Sequence, residues 1–88
     1  MIYRYLVNKE ADNIHFQAAV ENIKRTFPLL HQKEPLIDVD GSVVVVFNDD
    51  SVKISAANDY YSDLVYIDSN ISLEALEYPF WESVEVSK

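Results

Sequence analysis

An α+β domain, mainly antiparallel sheet with one long amphipathic helix packed on one face, is the fold this sequence predicts. Three observations carry that expectation. Phe16, Ala19, Val20, Ile23 and Phe27 recur at the spacing of one buried helical stripe. Several short β-branched and aromatic runs are separated by polar turns. At 88 residues, 49% of them hydrophobic and 25% charged, the chain suits a single compact domain, residues 1–88, with one core.

The first strand is expected over Ile2–Val7, a run rich in aromatic and β-branched residues that alternates around Arg4. The helix follows from about Asp12 to Phe27. Asp12 or Asn13 can cap its start, Glu21 can pair with Arg25 one turn on, and Pro28 stops it. Leu29–Pro35 then reads as a connector bounded by two prolines, with room for one helical turn.

Beyond the connector the strand signal dominates. Leu36–Val39 and Ser42–Phe47 flank Asp40-Gly41, where the only glycine of the chain suits a type I′ hairpin. Asn48-Asp49-Asp50 turns the chain into a strand over Val52–Ala56, completing a three-stranded meander. Asn58–Asp63 reads as a polar and aromatic loop, Leu64–Ile67 as a short strand, and Asp68-Ser69-Asn70 as the next turn. A short helix is expected after the N-cap Ser72, with Ile71 and Leu76 as a hydrophobic staple and Pro79 at its end. Trp81–Val86 alternates weakly and suits an edge strand, and Tyr78, Phe80 and Trp81 are expected to be mostly buried. The predicted order is β-α-β-β-β-β-α-β, with no internal repeat or linker.

Composition narrows the function. The absence of cysteine removes disulfides, a thiolate nucleophile and zinc sites that need Cys ligands. One glycine cannot build a P-loop or a dinucleotide fingerprint. The N-terminal run lacks the apolar core and cleavage site of a signal peptide, and no segment approaches the ~18 apolar residues of a membrane span. The cytoplasm is the expected location.

The net charge of −8 is unevenly spread. Residues 1–33 hold three acids and five bases, a net of +2; residues 34–88 hold twelve acids against Lys53 and Lys88, a net of −10. Such a field repels phosphate backbones and attracts basic surfaces, so direct nucleic-acid binding is not expected.

Candidate chemistry is sparse. Asp38, Asp40 and Asp49 occupy positions 1, 3 and 12 of a calcium-loop window, but Val43 replaces the glycine at position 6 and the intervening valines read as strand. A nuclease-like reading would join Asp38 to the Asp50-Ser51-Val52-Lys53 segment, but the spacing misses, because the residue two before Lys53 is Ser51, which cannot supply a carboxylate ligand. His15 and His31 have no convincing acid-base partner in the sequence. No catalytic, metal or cofactor site is therefore expected, and the chain is not expected to be an enzyme.

What remains is an acidic and aromatic surface. Asn58-Asp59-Tyr60-Tyr61-Ser62-Asp63 lies in a predicted loop and Glu77-Tyr78-Pro79-Phe80-Trp81-Glu82 near the end. Tyrosine and tryptophan anchor interfaces because they bury much area with few rotatable bonds. The expected partner-binding residues are Asp38, Asp40, Asp49, Asp50, Asp59, Tyr60, Tyr61 and Asp63. In size and charge alone, the chain resembles small acidic inhibitors of bacteria and phages: immunity proteins against nuclease toxins, and anti-restriction or anti-CRISPR proteins. The resemblance covers no motif. It implies an inhibitor that blocks a basic, nucleic-acid-handling protein, with carboxylates standing in for phosphates as in a DNA mimic. A self-associating structural or regulatory module, built on the Ser42–Phe47 strand or a terminal strand, is the alternative.

Overall fold

The computed structural model describes residues 2–73 and the backbone of 82–86. The first element is strand β1, Ile2–Asn8, and the second is helix α1, Asn13–Thr26. Asp12 caps α1 from extended backbone, its carboxylate accepting from the Ile14 N–H, and Phe27 closes the last turn through an N–H bond to the Ile23 carbonyl. At 14 residues α1 is of ordinary rather than great length. Its buried side chains are Phe16, Ala19, Val20, Asn22 and Ile23, so four members of the predicted stripe face the sheet and Phe27 packs at the margin.

Six further strands follow: β2 (His31–Gln32), β3 (Leu36–Ile37), β4 (Val43–Asn48), β5 (Lys53–Asp59), β6 (Leu64–Ser69) and β7 (Glu82–Val86). They form one sheet with β1 in the order β2-β4-β5-β6-β1-β7, β3 pairing beside β2 on the same edge of β4. Every recorded pairing is antiparallel. The chain thus forms a mostly antiparallel sheet with a helix on one face. The core lies between α1 and the residues Tyr5, Val7, Val45, Phe47, Ile54, Ala56, Val65 and Ile67. Leu73 joins it, its N–H donating to the Tyr5 hydroxyl at 2.8 Å and tying the segment after β6 to β1.

Several expectations need correction. The connector after α1 contains no helical turn; His31 and Gln32 pair with Asn48 and Phe47 because the outer edge of β4 offers unpaired backbone groups. The hairpin centred on Asp40-Gly41 exists but is not type I′. Ile37 pairs with Val43, the Asp38 N–H bonds the Ser42 carbonyl at 2.9 Å, and the Gly41 N–H bonds the Asp38 carbonyl at 3.0 Å. Three residues therefore span the turn, and only Gly41 takes positive φ, +88°, the geometry of a type I turn followed by a left-handed residue. Strands β5 and β6 run past their expected ends into Asp59 and Ser69, since the polar residues there find tertiary partners. The short helix expected after Ser72 and the aromatic run 78–81 lie outside the described residues.

Candidate functional site

A single row of side chains crosses the sheet face that α1 leaves open. Leu36 pairs with Val44, Val44 with Ala57, Ala57 with Tyr66, and Tyr66 with Leu6, so the pleat points all five away from the core. The adjacent row, Val45-Ala56-Ile67-Tyr5, points toward α1. Ala57 is the small residue of the open row and is only 2% exposed, although it stands outside the core cluster. Its short side chain leaves a groove of about 520 Å³ between Leu36, Val44 and Tyr66. That volume falls within the range of specific ligand sites.

Loops supply the rim. Asp38 and Asp40 come from the β3–β4 turn, Asp59 from the end of β5 and Tyr61 from the β5–β6 turn. Tyr61 is 93% exposed, while Leu36 and Ile37 beside it are 66% and 72% exposed. One end of the sheet therefore carries an apolar floor with three carboxylates around it.

The rim carboxylates are held by their own turns. Asp40 accepts from the Ser42 N–H at 2.9 Å and Asp38 from the Val39 N–H at 2.7 Å. Asp59 accepts from the Tyr61 and Ser62 N–H groups at 3.0 and 3.2 Å. A hydrogen bond from the Ser62 side chain, then these backbone bonds, holds the Asp59 carboxyl below the ordinary range, so it is ionised at neutral pH.

Tyr66 is fixed by a neighbour on β1. Arg4 lies 4.0 Å from the Tyr66 ring centroid and grips Asp68 with two bonds, Nε to Oδ1 at 2.7 Å and Nη2 to Oδ2 at 2.9 Å. The bond to Asp68, against a desolvation cost, raises the Arg4 pKa. Burial pushes the Tyr66 phenol up, which keeps it a neutral donor.

The expected site residues do not form one patch. Asp38, Asp40, Asp59 and Tyr61 meet at the groove. Tyr60 stands behind it: its N–H donates to Ser42 Oγ at 2.9 Å, and its ring lies 3.8 Å from where a Cβ on Gly41 would be, so it braces the two loops. Asp63, at φ +58°, is turned toward the start of α1 and accepts from the Ala11 N–H at 2.9 Å. Asp49 and Asp50 stand at the opposite end of β4, about 20 Å away at the rise of a six-residue strand. Asp49 there accepts from the Ser51 and Val52 N–H groups at 2.8 and 2.7 Å. The same separation splits the calcium-loop window, whose first and last aspartates lie at opposite strand ends.

Sequence reasoning missed the floor (Val44, Ala57, Tyr66), the Arg4–Asp68 clamp and the contact of His15 Nδ1 with the Asp12 carboxylate. The valine run Val43–Val46 held a signal for the floor, because a strand apolar at every position buries or offers both faces. The i, i+3 spacing of Asp12 and His15 held one for the cap pair.

These locked carboxylates predict the acid limb of stability. His15 and the Ile14 N–H lower the Asp12 pKa, and backbone N–H groups lower that of Asp49. A carboxyl depressed in the folded state stabilises it above the ordinary Asp value, 3.8, and loses that contribution as pH falls through the folded value. Asp49→Asn is therefore expected to be less stable than the wild type at pH ~7, with the gap closing as pH falls below the ordinary Asp value and Asp49 itself protonates. Urea titrations of the two proteins across pH check this; a constant gap would refute it.

Among the described residues no helix is long and apolar enough to cross a membrane, and no group of three or more His, Asp or Glu is placed to hold a metal. Comparison with protein-family models, with curated proteins and with solved structures finds no match.

Proposed function

We propose that this chain is a small cytoplasmic inhibitor that works by binding: it docks on a basic, nucleic-acid-handling protein and blocks its substrate surface, as nuclease immunity proteins and phage anti-restriction or anti-CRISPR proteins do. The observation that supports this reading is the groove on the open sheet face, where an apolar floor of Leu36, Val44, Ala57 and Tyr66 is rimmed by Asp38, Asp40 and Asp59. Apolar area gives affinity, and the ionised rim takes the place of phosphates on the partner's basic residues. The net charge of −8, with Asp49 and Asp50 at the far end, adds attraction at longer range. No chemistry is required of the chain, and no cofactor.

Capture on immobilised protein from nuclease-treated lysate, eluted in a salt gradient, tests the proposal. The retained proteins are expected to be basic and nucleic-acid-handling, with retention falling about tenfold or more between ~50 and ~500 mM salt as screening shortens the field. Asp38→Asn/Asp40→Asn is expected to release them at lower salt. Retention that ignores both salt and this double variant would refute the reading.

One observation favours self-association instead. The segment 31–41 is exposed throughout, and it carries Leu36, Ile37 and Val39 on an outer edge that no other strand among the described residues pairs with. Strand β4 itself cannot be that edge, because β2, the Lys33 N–H and β3 cover it along its length. Sedimentation at high concentration separates the readings: a dimer lost on Ile37→Lys supports self-association, and a monomer supports docking on another protein.

A further inference from the structure

We infer that the groove between Tyr61 and Tyr66 receives an arginine side chain of the partner, flanked by an apolar residue. The inference rests on the docking reading and names what the partner inserts. The floor is apolar and the rim anionic, so the complementary group has an apolar stem and a cationic head. Both lysine and arginine meet that description; the aromatic rings decide between them. A planar guanidinium stacks on tyrosine and bonds carboxylates with two parallel N–H groups, whereas an ammonium is a compact, strongly hydrated charge.

The same face already carries out this recognition within the chain. Arg4 stacks over Tyr66 at 4.0 Å and is bidentate on Asp68 at 2.7 and 2.9 Å. Beside Arg4, which shares the Tyr66 ring and already feels the charge of Asp59, the groove offers further groups of the same kind: Tyr61 as a second ring, and Asp38 and Asp40 with Asp59 as carboxylates. Asp59 is held ionised by its turn and Tyr66 is clamped by Arg4, so these two groups are ordered before binding, and Tyr61 is the ring that must close on the guest. A volume of about 520 Å³ exceeds one side chain, which is why an apolar neighbour, seated on Leu36 and Val44, completes the occupant.

The test uses the full chain and three blocked peptides, Ser-Leu-Arg-Leu-Ser and its lysine and citrulline counterparts, titrated by amide NMR at about 50 mM salt, where screening is weak. Shifts are expected to concentrate on Val44, Ala57, Asp59, Tyr61 and Tyr66. The arginine peptide is expected to bind roughly tenfold tighter than its neutral citrulline isostere and several-fold tighter than lysine. Tyr61→Ala, at a fully solvent-facing side chain, should cost roughly tenfold without touching the fold. Ala57→Leu, which fills the floor at unchanged charge, should weaken binding to a similar degree, and the amide spectrum of the free variant reports whether the sheet accepts the larger side chain. Glu21→Gln removes one charge from the helix and is expected to change affinity less than about twofold.

Equal binding of arginine and citrulline peptides, shifts spread over all the acids, or no binding at all would overturn the inference. If the peptides fail while lysate proteins still depend on Asp38 and Asp40 for retention, docking stands and the arginine assignment falls. If that retention is also lost, both fall.

Discussion

Phe47→Ala is expected to remove about 3–5 kcal/mol of folding stability, the range for truncating a buried aromatic. Phe47 is 1% exposed in the core, pairs across the sheet with Ile54 and Gln32, and has Phe27 and Leu30 packed around the same cluster. A dent of about 170 Å³, lined by Phe27, Pro28, Leu30 and Phe47, already lies beside it. A cavity that opens into this dent is wetted, which removes the cavity contribution and places the loss toward the lower end of the range. Native domains are stable by about 5–15 kcal/mol, and one of this size belongs toward the lower end. The urea midpoint should therefore fall by roughly half, or by about 2 M for a slope of 1–3 kcal/mol/M. Val46→Ala, one residue away on the open face, should cost about 1 kcal/mol or less. Equal losses at the two positions would show that the core is not where α1 meets the sheet.

The contrast between Val46 and Phe47 also marks how far the sequence could be read. Helix α1 was legible because Phe16, Ala19, Val20 and Ile23 repeat with a period no strand shares. The hairpin at Gly41 was legible in place but not in type, because the closing pair, Asp38 with Ser42, is set by where β3 meets β4. Strand β2 was invisible: His31 and Gln32 carry no alternation and are strand only because β4 has an edge to pair with. The site divided in the same way. Asp38, Asp40, Asp59 and Tyr61 could be named as polar turn residues, but Val44 and Val45 are chemically identical. Only the position of α1 decides which valine is core and which is groove floor. Asp40 and Asp49 were legible as two turns flanking a strand, and the six residues of β4 hold them at its opposite ends.

Asn58 was read as loop for the same reason, and it supports the second large effect. Its side chain is 2% exposed on the α1 face of β5, and its Oδ1 accepts from the Asp12 N–H at 2.9 Å. Asp12 in turn caps α1 through the Ile14 N–H and contacts His15. The helix start is thus anchored to the strand that carries Ala57 and Asp59 on its other side. Asn58→Ala is expected to cost about 1–3 kcal/mol, the penalty for leaving a sheltered N–H without an acceptor. Asn58→Leu separates this from packing. It restores volume but offers no acceptor, so it should be as harmful as alanine, and amide exchange over residues 12–15 should quicken in both variants. A leucine variant as stable as the wild type would mean that Asn58 only fills space. A leucine variant that loses stability with faster exchange at Asp12 would mean that one buried amide holds the helix to the groove-bearing strand.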